Sequence, residues 1–399
     1  MKDNNWNALP LGELVTIQKG KISEQSTYPE EGFTPIINTD ALRGDIKVWG
    51  KIKGSVNCIE EDVLILWDGE RSGLCAIGYK GVLGSTFAKM NVSSELVPEY
   101  LFRVVDFNFD WIQGQRTGTG VPHVPKDLKT IFKVNFPPLP QQKKIAKILS
   151  TVDTVIAQTE TAIAKYQAIK QGLMHDLFTR GIDVNTGLLR PTAEEAPALY
   201  KESSLGLIPK DWEEITFGYE INFLSGCPFS SAFFNEEKRG LPLIRIRDLI
   251  NSSQETYYNG AYSDSYLINE GDVLIGMDGD FHIVKWNNSA SLLNQRILKI
   301  SEKRDGKLYL DYFFYYLFPF LLDVHNKTAA TTVKHLSTKD ISDAKRFMPL
   351  KPEQILSAKK ILSVDQKIQT EQQALAKYQQ LKAGLLQDLL TGKVEVTVD

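Results

Sequence analysis

The chain repeats itself, and no other property of the sequence restricts its fold as much. Ala164-Lys165-Tyr166-Gln167-Ala168-Ile169-Lys170-Gln171-Gly172-Leu173 recurs as Ala376-Lys377-Tyr378-Gln379-Gln380-Leu381-Lys382-Ala383-Gly384-Leu385, at a constant spacing of 212 residues in a chain of 399. Upstream, Lys147-Ile148-Leu149-Ser150 and Asp153 answer to Lys360-Ile361-Leu362-Ser363 and Asp365. Glu61-Asp62-Val63-Leu64-Ile65 with Asp68-Gly69 corresponds to Gly271-Asp272-Val273-Leu274-Ile275 with Asp278-Gly279. Glu99-Tyr100-Leu101-Phe102 parallels Asp311-Tyr312-Phe313-Phe314, and Val121, His123, Gly12 and Gly20 parallel Val333, His335, Gly218 and Gly226. The chain therefore reads globule–helix–globule–helix, two copies alike in plan and different in detail.

The helical segments carry their own signature. Ile145, Val152, Tyr166 and Leu173 recur at seven-residue steps with Thr159 between, Ile148, Val155, Ala162 and Ile169 fill the companion positions, and Leu149, Ile156, Ile163 and Leu177 widen the stripe. The pattern predicts one helix over 142–178, entered after Pro137-Pro138 and Pro140 and followed by Gly181. The second copy spans about 353–390, with Val364, Leu375, Tyr378 and Leu385 in its stripe. At 1.5 Å per residue each helix is roughly 55 Å long, too long to bury its stripe against one small globule. The economical solution is that the two pair as a coiled-coil-like rod. Residues 182–205 alone join the end of the first helix to the second globule, so the second helix is expected to run back antiparallel. The expected fold is mixed α+β: globules 1–140 and 206–350, spacer helices 141–181 and 351–392, a linker 182–205, and pseudo-twofold symmetry overall. Val63-Leu64-Ile65-Leu66-Trp67 and Val273-Leu274-Ile275 read as buried strands, and Tyr100 to Val105 and Tyr312 to Leu317 as short buried helices.

Several classes are excluded at this stage. The longest apolar run, Phe313 to Leu322, is shorter than the ~20 residues of a bilayer-spanning helix and contains Pro319. The polar start leads into no apolar segment, so neither a membrane span nor a signal peptide is expected. Cys58, Cys75 and Cys227 form no C-x-x-C pair, which fits a reducing cytoplasm. There is no P-loop, and Gly118-Thr119-Gly120 is followed by Pro122 and Pro125 where a dinucleotide-binding helix should begin. Asn135-Phe136-Pro137-Pro138-Leu139 has Phe before its two prolines and Leu after, so it lacks the polar group with which an amino-methyltransferase loop would hold the target amine, and it reads as helix-entry punctuation. The five histidines have no H-x-x-x-H spacing, and no metal site is expected. Asp62, Asp68 and Glu70 with Asp272, Asp278 and Asp280 suggest a nuclease cluster only weakly, because Asp-Gly after a strand is ordinarily a turn. No catalytic residue is assigned.

What remains is binding. Lys19, Lys21, Arg43, Arg71, Arg116, Thr117, Thr119 and His123 are the candidates in the first half, with Lys47, Lys51 and Lys53 adding charge. Arg245, Arg247, Lys285, Arg296, Lys327, Thr331, Thr332, Lys334 and His335 are those of the second, with Arg239. Arg pairs with guanine and Thr and Lys hold phosphates, so these residue types suit a nucleic acid. Residues 1–140 nevertheless hold 15 Lys and Arg against 17 Asp and Glu, and the net charge of the whole chain is −3. A DNA role then requires local clustering or a partner that supplies the positive field.

The whole arrangement resembles the specificity (S) subunit of type I restriction-modification systems. The resemblance is carried by the proline-rich entries into Gln141-Gln142 and Glu353-Gln354, the repeated Ala-Lys-Tyr-Gln helices, and the loops Thr117 to His123 and Thr331 to Ser337. It implies two target recognition domains, each reading half of a split double-stranded DNA sequence. It also implies helices that dock two methyltransferase (M) subunits, restriction (R) subunits joining that core, and S-adenosylmethionine, Mg²⁺ and ATP bound by the partners and not by this chain. The rod would then act as a ruler, with half-sites on the order of one DNA turn (~34 Å) apart. The alternative is an interaction scaffold that reads no DNA.

Overall fold

The computed structural model describes residues 5–117, 120–204, 206–251, 253–328 and 333–398. They fall into two compact units, one within Met1–Ala162 and Glu371–Asp399, the other within Ile163–Thr370.

In the first unit a four-stranded antiparallel sheet runs in the order Val15–Lys19, Phe87–Val92, Val63–Leu66, Cys75–Ala76. A five-stranded sheet follows the order Gln25–Ser26, Trp49–Lys51, Phe33–Ile37, Gly81–Leu83, Asn57–Cys58, and Phe33–Ile37 pairs in parallel with Gly81–Leu83. The continuous apolar run of Val63–Leu66 has a simple cause. Val63 and Ile65 pack in one core with Tyr100 and Leu101 of the helix Pro98–Phe107, while Leu64 and Leu66 pack in another with Leu83 and Phe87. Both faces of the strand are covered, so neither can be polar.

The second unit repeats this plan strand for strand. Ile221–Ser225, Ile297–Glu302, Val273–Gly276 and Ile283–Lys285 take the same order, as do Phe234–Asn235, Tyr257–Tyr258, Leu241–Ile244, Ser291–Leu293 and Leu267–Ile268, again with one parallel pair. The matched glycines mark the same close approach in each copy. A Cβ on Gly20 would lie 2.1 Å from the Gly84 carbonyl oxygen, and one on Gly226 1.9 Å from that of Asn294. The expected short helix at Tyr312 extends instead over Leu310–Lys327, through Pro319. The proline forfeits one helical hydrogen bond, but Phe320 and Leu321 beyond it are buried in the core and hold the helix together.

The long helices span Leu139–Thr179 and Lys351–Leu390, beginning earlier than their stripes because Pro140 and Pro352 sit in first turns, whose N–H groups have no helical partner. In the first unit Ile145 and Leu149, near the start of one helix, share a core with Leu389 and Leu390 at the end of the other. In the second unit Leu177 and Ile361 do the converse, so the helices are antiparallel as expected. Asp153 pairs with Lys382 at 2.7 Å, and its repeat-mate Asp365 with Lys170 at 2.6 Å. A side chain of the globule completes each pair: Arg103 bonds Asp153, and the Tyr315 hydroxyl donates to Asp365 at 2.7 Å. Each unit thus holds the same kind of acid–base pair between its two helical segments. Along the stripe Ile145 and Ile163 are buried, and Val152, Ile156, Tyr166, Leu173, Val364, Leu375, Tyr378 and Leu385 half-buried; Ile169 alone of its row is exposed.

Each globule grips the start of its helix through a buried glutamine. Gln142 Oε1 accepts the Val97 N–H at 2.8 Å, and its Nε2 donates to the Glu95 and Pro137 carbonyls at 2.9 and 2.8 Å. Gln354 does the same with the Tyr309 N–H and the Lys307 and Pro349 carbonyls. Residues 182–204 are a folded part of the second unit. Ile182 and Tyr200 are buried, Tyr200–Ser203 pairs with Gly206–Pro209, and Arg190 makes a two-pronged ion pair with buried Glu353 at 2.5 and 2.8 Å. No helix among the described residues is long and apolar enough to cross a membrane.

Candidate nucleic-acid interface

The central strand of each four-stranded sheet ends in a tip to which a later loop is fastened. In the first globule Val63–Leu66 runs into Trp67-Asp68-Gly69, where Gly69 takes φ 121°, a conformation open to glycine. Gly69 N–H donates to the Pro122 carbonyl at 2.8 Å and Val124 N–H to that of Trp67 at 2.9 Å. Within the loop Thr117 and His123 exchange main-chain hydrogen bonds. The side chains then lock: His123 Nδ1 lies 2.7 Å from Asp68 Oδ1. Lys19 Nζ approaches Asp68 Oδ2 at 3.2 Å and stands 5.6 Å from the centre of the Trp67 ring.

The second globule rebuilds the tip. Gly279, at φ 79°, donates to the Lys334 carbonyl at 3.0 Å, and Leu336 N–H to that of Met277 at 2.7 Å. His335 Nδ1 lies 2.7 Å from Asp278 Oδ1, and Arg296 Nε 3.8 Å from Asp278 Oδ2. His123, His335 and Arg296 are each about half exposed, so the tips combine a fixed main chain with accessible polar heads.

Other residues read from the sequence fall in different places. Arg43 and Arg71 are exposed and line, with Asp68, one cleft of about 650 Å³. Arg116 is turned onto the main chain, bonding the Glu70 and Gln113 carbonyls at 2.5 and 2.8 Å, and so steadies the loop that carries Thr117. Lys21 is exposed near the end of the first strand. Arg245 is committed to the fold: its guanidinium bonds Thr256, and its N–H donates to Asp248 Oδ2 at 2.8 Å. Burial pushes the Asp248 carboxyl up, against the Ser253 hydrogen bond and the charge of Arg247, which itself stays at the surface. Lys285 pairs with Asp311 at 2.6 Å and sits opposite Val273, at the far end of the strand from the tip. Lys327 pairs with Asp323 one helical turn back, and the Lys334 ammonium bonds the His325 carbonyl at 2.6 Å, capping that helix. Thr119, Thr331 and Thr332 lie outside the described residues.

The residues that sequence reasoning undervalued are Asp68 and Asp278, seen there only as turn or metal-cluster carboxylates. Their signal was the recurrence of Asp-Gly and of His in both copies. The nuclease cluster is not assembled. Asp62 and Asp68 bracket the strand Val63–Leu66, roughly 20 Å apart at strand rise. Asp62 is bound instead to Lys89 at 3.0 Å, as Asp272 is to Lys299 at 2.6 Å.

A family model described as the type I restriction modification DNA specificity domain matches residues 3–170 and 209–380. The type I restriction enzyme MjaVIII specificity subunit of Methanocaldococcus jannaschii is 27% identical over 412 residues, spanning 98% of this chain and 93% of that protein. The EcoBI specificity subunit of Escherichia coli is 34% identical over 188 residues, 47% of this chain and 39% of that one. Among solved structures, the S subunit of a type I restriction-modification system from M. genitalium shares the fold with a TM-score of 0.64, at 17% identity over 100% of this chain and 98% of that one.

Proposed function

The chain belongs to the type I restriction modification DNA specificity family, and on that premise we propose that each globule reads one half of a bipartite double-stranded DNA target while the paired helices dock two methyltransferase subunits. Restriction subunits join that core in the full complex. The chain itself is non-catalytic and works in the cytoplasm; S-adenosylmethionine, Mg²⁺ and ATP are the partners' ligands. The observation that carries this reading is the tip built twice, with the same Asp–His lock and a different cation at each. One frame with two unlike heads suits two unlike half-sites. The net charge of −3 fits as well. Methyltransferase subunits that enclose the duplex supply the phosphate neutralisation, leaving this chain to read base edges.

The test is a genome-wide DNA methylation map of cells carrying the cognate methyltransferase, with and without this chain. A two-part motif with a fixed gap that appears only with the chain is the expected result. Methylation independent of the chain, with both proteins folded and present, would sink the proposal.

A further inference from the structure

The two tips agree in one half of their chemistry and differ in the other. The His lock has the same length, 2.7 Å, in each copy. The second carboxylate oxygen faces a cation from a different place: Lys19 closes the first strand of its sheet, whereas Arg296 occupies the turn entering Ile297–Glu302. Neither cation has a counterpart in the other copy. The residue before Gly226 is Ser225 where the residue before Gly20 is Lys19. Thr86 takes the place of Arg296, its carbonyl accepting the Trp67 N–H as that of Arg296 accepts the Met277 N–H.

Arg296 also holds a backbone conformation that disfavours it. Its φ is +70°, and among the described residues only Lys238 and Phe281 share a positive φ without being glycine. Thr86 does the same main-chain task without it. The fold therefore asks of this position a carbonyl that glycine would supply with less strain, and the strained arginine is kept for its side chain. That side chain is 56% exposed, and its Nε stands 3.8 Å from Asp278 Oδ2, an ion-pair contact. An exposed guanidinium that meets a carboxylate through its Nε keeps its terminal nitrogens for the fork that fits guanine O6 and N7.

We propose that Arg296, oriented by Asp278, reads a guanine in the half-site of the second globule, and that Lys19, oriented by Asp68, carries the corresponding reading in the first. The inference rests on the DNA-reading role given above. The His–Asp lock is the constant frame and the cation is the variable part.

The test uses the full chain with its methyltransferase partner, mapping methylation for the wild type, Arg296→Gly, Arg296→Gln and Lys19→Gln, with melting temperatures of the same complexes. Arg296→Gly and Arg296→Gln should relax one guanine in one half of the motif, with roughly 10- to 100-fold less discrimination there, and leave the other half unchanged. Lys19→Gln should alter the opposite half. Arg296→Gly should melt at or above the wild-type temperature, because it removes the strain. An unchanged motif, or a uniform loss of methylation with no base position relaxed, would overturn the assignment and mark a phosphate contact or a bystander. A wild-type map with no bipartite motif would instead overturn the DNA-reading role beneath it.

Discussion

Replacing Glu353 tests whether residues 182–204 are bound to the second helix as tightly as the contacts of Ile182 and Arg190 imply. Its carboxylate is 2% exposed and receives three hydrogen bonds: two from Arg190, at 2.5 and 2.8 Å, and one from the Ile182 N–H at 2.8 Å. Glu353→Ala leaves the Arg190 guanidinium with Asp211 as its remaining carboxylate, and that side chain is half exposed. It also leaves the buried Ile182 N–H without its acceptor. Breaking one side of a buried pair costs about 3–5 kcal/mol, far above a surface ion pair. Glu353→Gln keeps the shape and one acceptor, so its cost should fall to about 1.5–3 kcal/mol. Arg190→Met combined with Glu353→Leu removes both charges together, and should cost much less than the two single changes summed. Urea unfolding followed by tryptophan fluorescence is the assay, since buried Trp212 belongs to the same unit. A cost for Glu353→Ala below about 0.5 kcal/mol, the range of ordinary surface changes, would refute this reasoning.

Gln142→Ala and Gln354→Ala should each cost about 2–4 kcal/mol by orphaning one buried N–H and two carbonyls, and hydrogen exchange should show protection lost at Val97 or Tyr309 respectively. Burial alone would raise the Asp153 carboxyl, but the Lys382 hydrogen bond and the charge of Arg103 outweigh it and hold the group below the usual carboxylate range. The folded value therefore lies below the unfolded one near ~4, so this stabilisation is present above that pH and disappears as pH falls through the folded value. Acid titration of stability should show the wild type converging on Asp153→Asn at the low end; a constant gap would contradict it. Gly226→Ala would set a methyl 1.9 Å from the Asn294 carbonyl oxygen, and the strand must shift, at about 1–3 kcal/mol in thermal unfolding.

The duplication and the long helices were legible because both are regular: a constant spacing and a seven-residue rhythm survive divergence of the rest. The antiparallel pairing followed from chain connectivity. The tips were legible only in fragments. Lys19, His123, Arg296 and His335 stood out as single residues, but the contacts that unite them to Asp68 and Asp278 cross 49, 55, 18 and 57 positions, and no local pattern encodes such a crossing. Arg245, Lys285 and Lys334 show the opposite limit. A sequence records that a side chain is charged and not which way it points, and these three are spent on Thr256, Asp311 and a helix end. The helix expected over Tyr312 to Leu317 runs on through Pro319 because the core residues Phe320 and Leu321 beyond it hold the chain there.

The exchanged ion pairs between the helices bear on how such a chain can change over generations. Asp153 depends on Lys382, and Asp365 on Lys170, so each copy's acid is answered by the other copy's base. A substitution at Lys170 is therefore felt by the second repeat, and its compensation must arise there, not beside it. Among descendants of this chain, positions 153 and 382, and 170 and 365, should drift in step. Pairs within one repeat, such as 153 and 170, should drift freely, and the cross-repeat dependence ties the two halves into a single heritable unit even as their tips diverge.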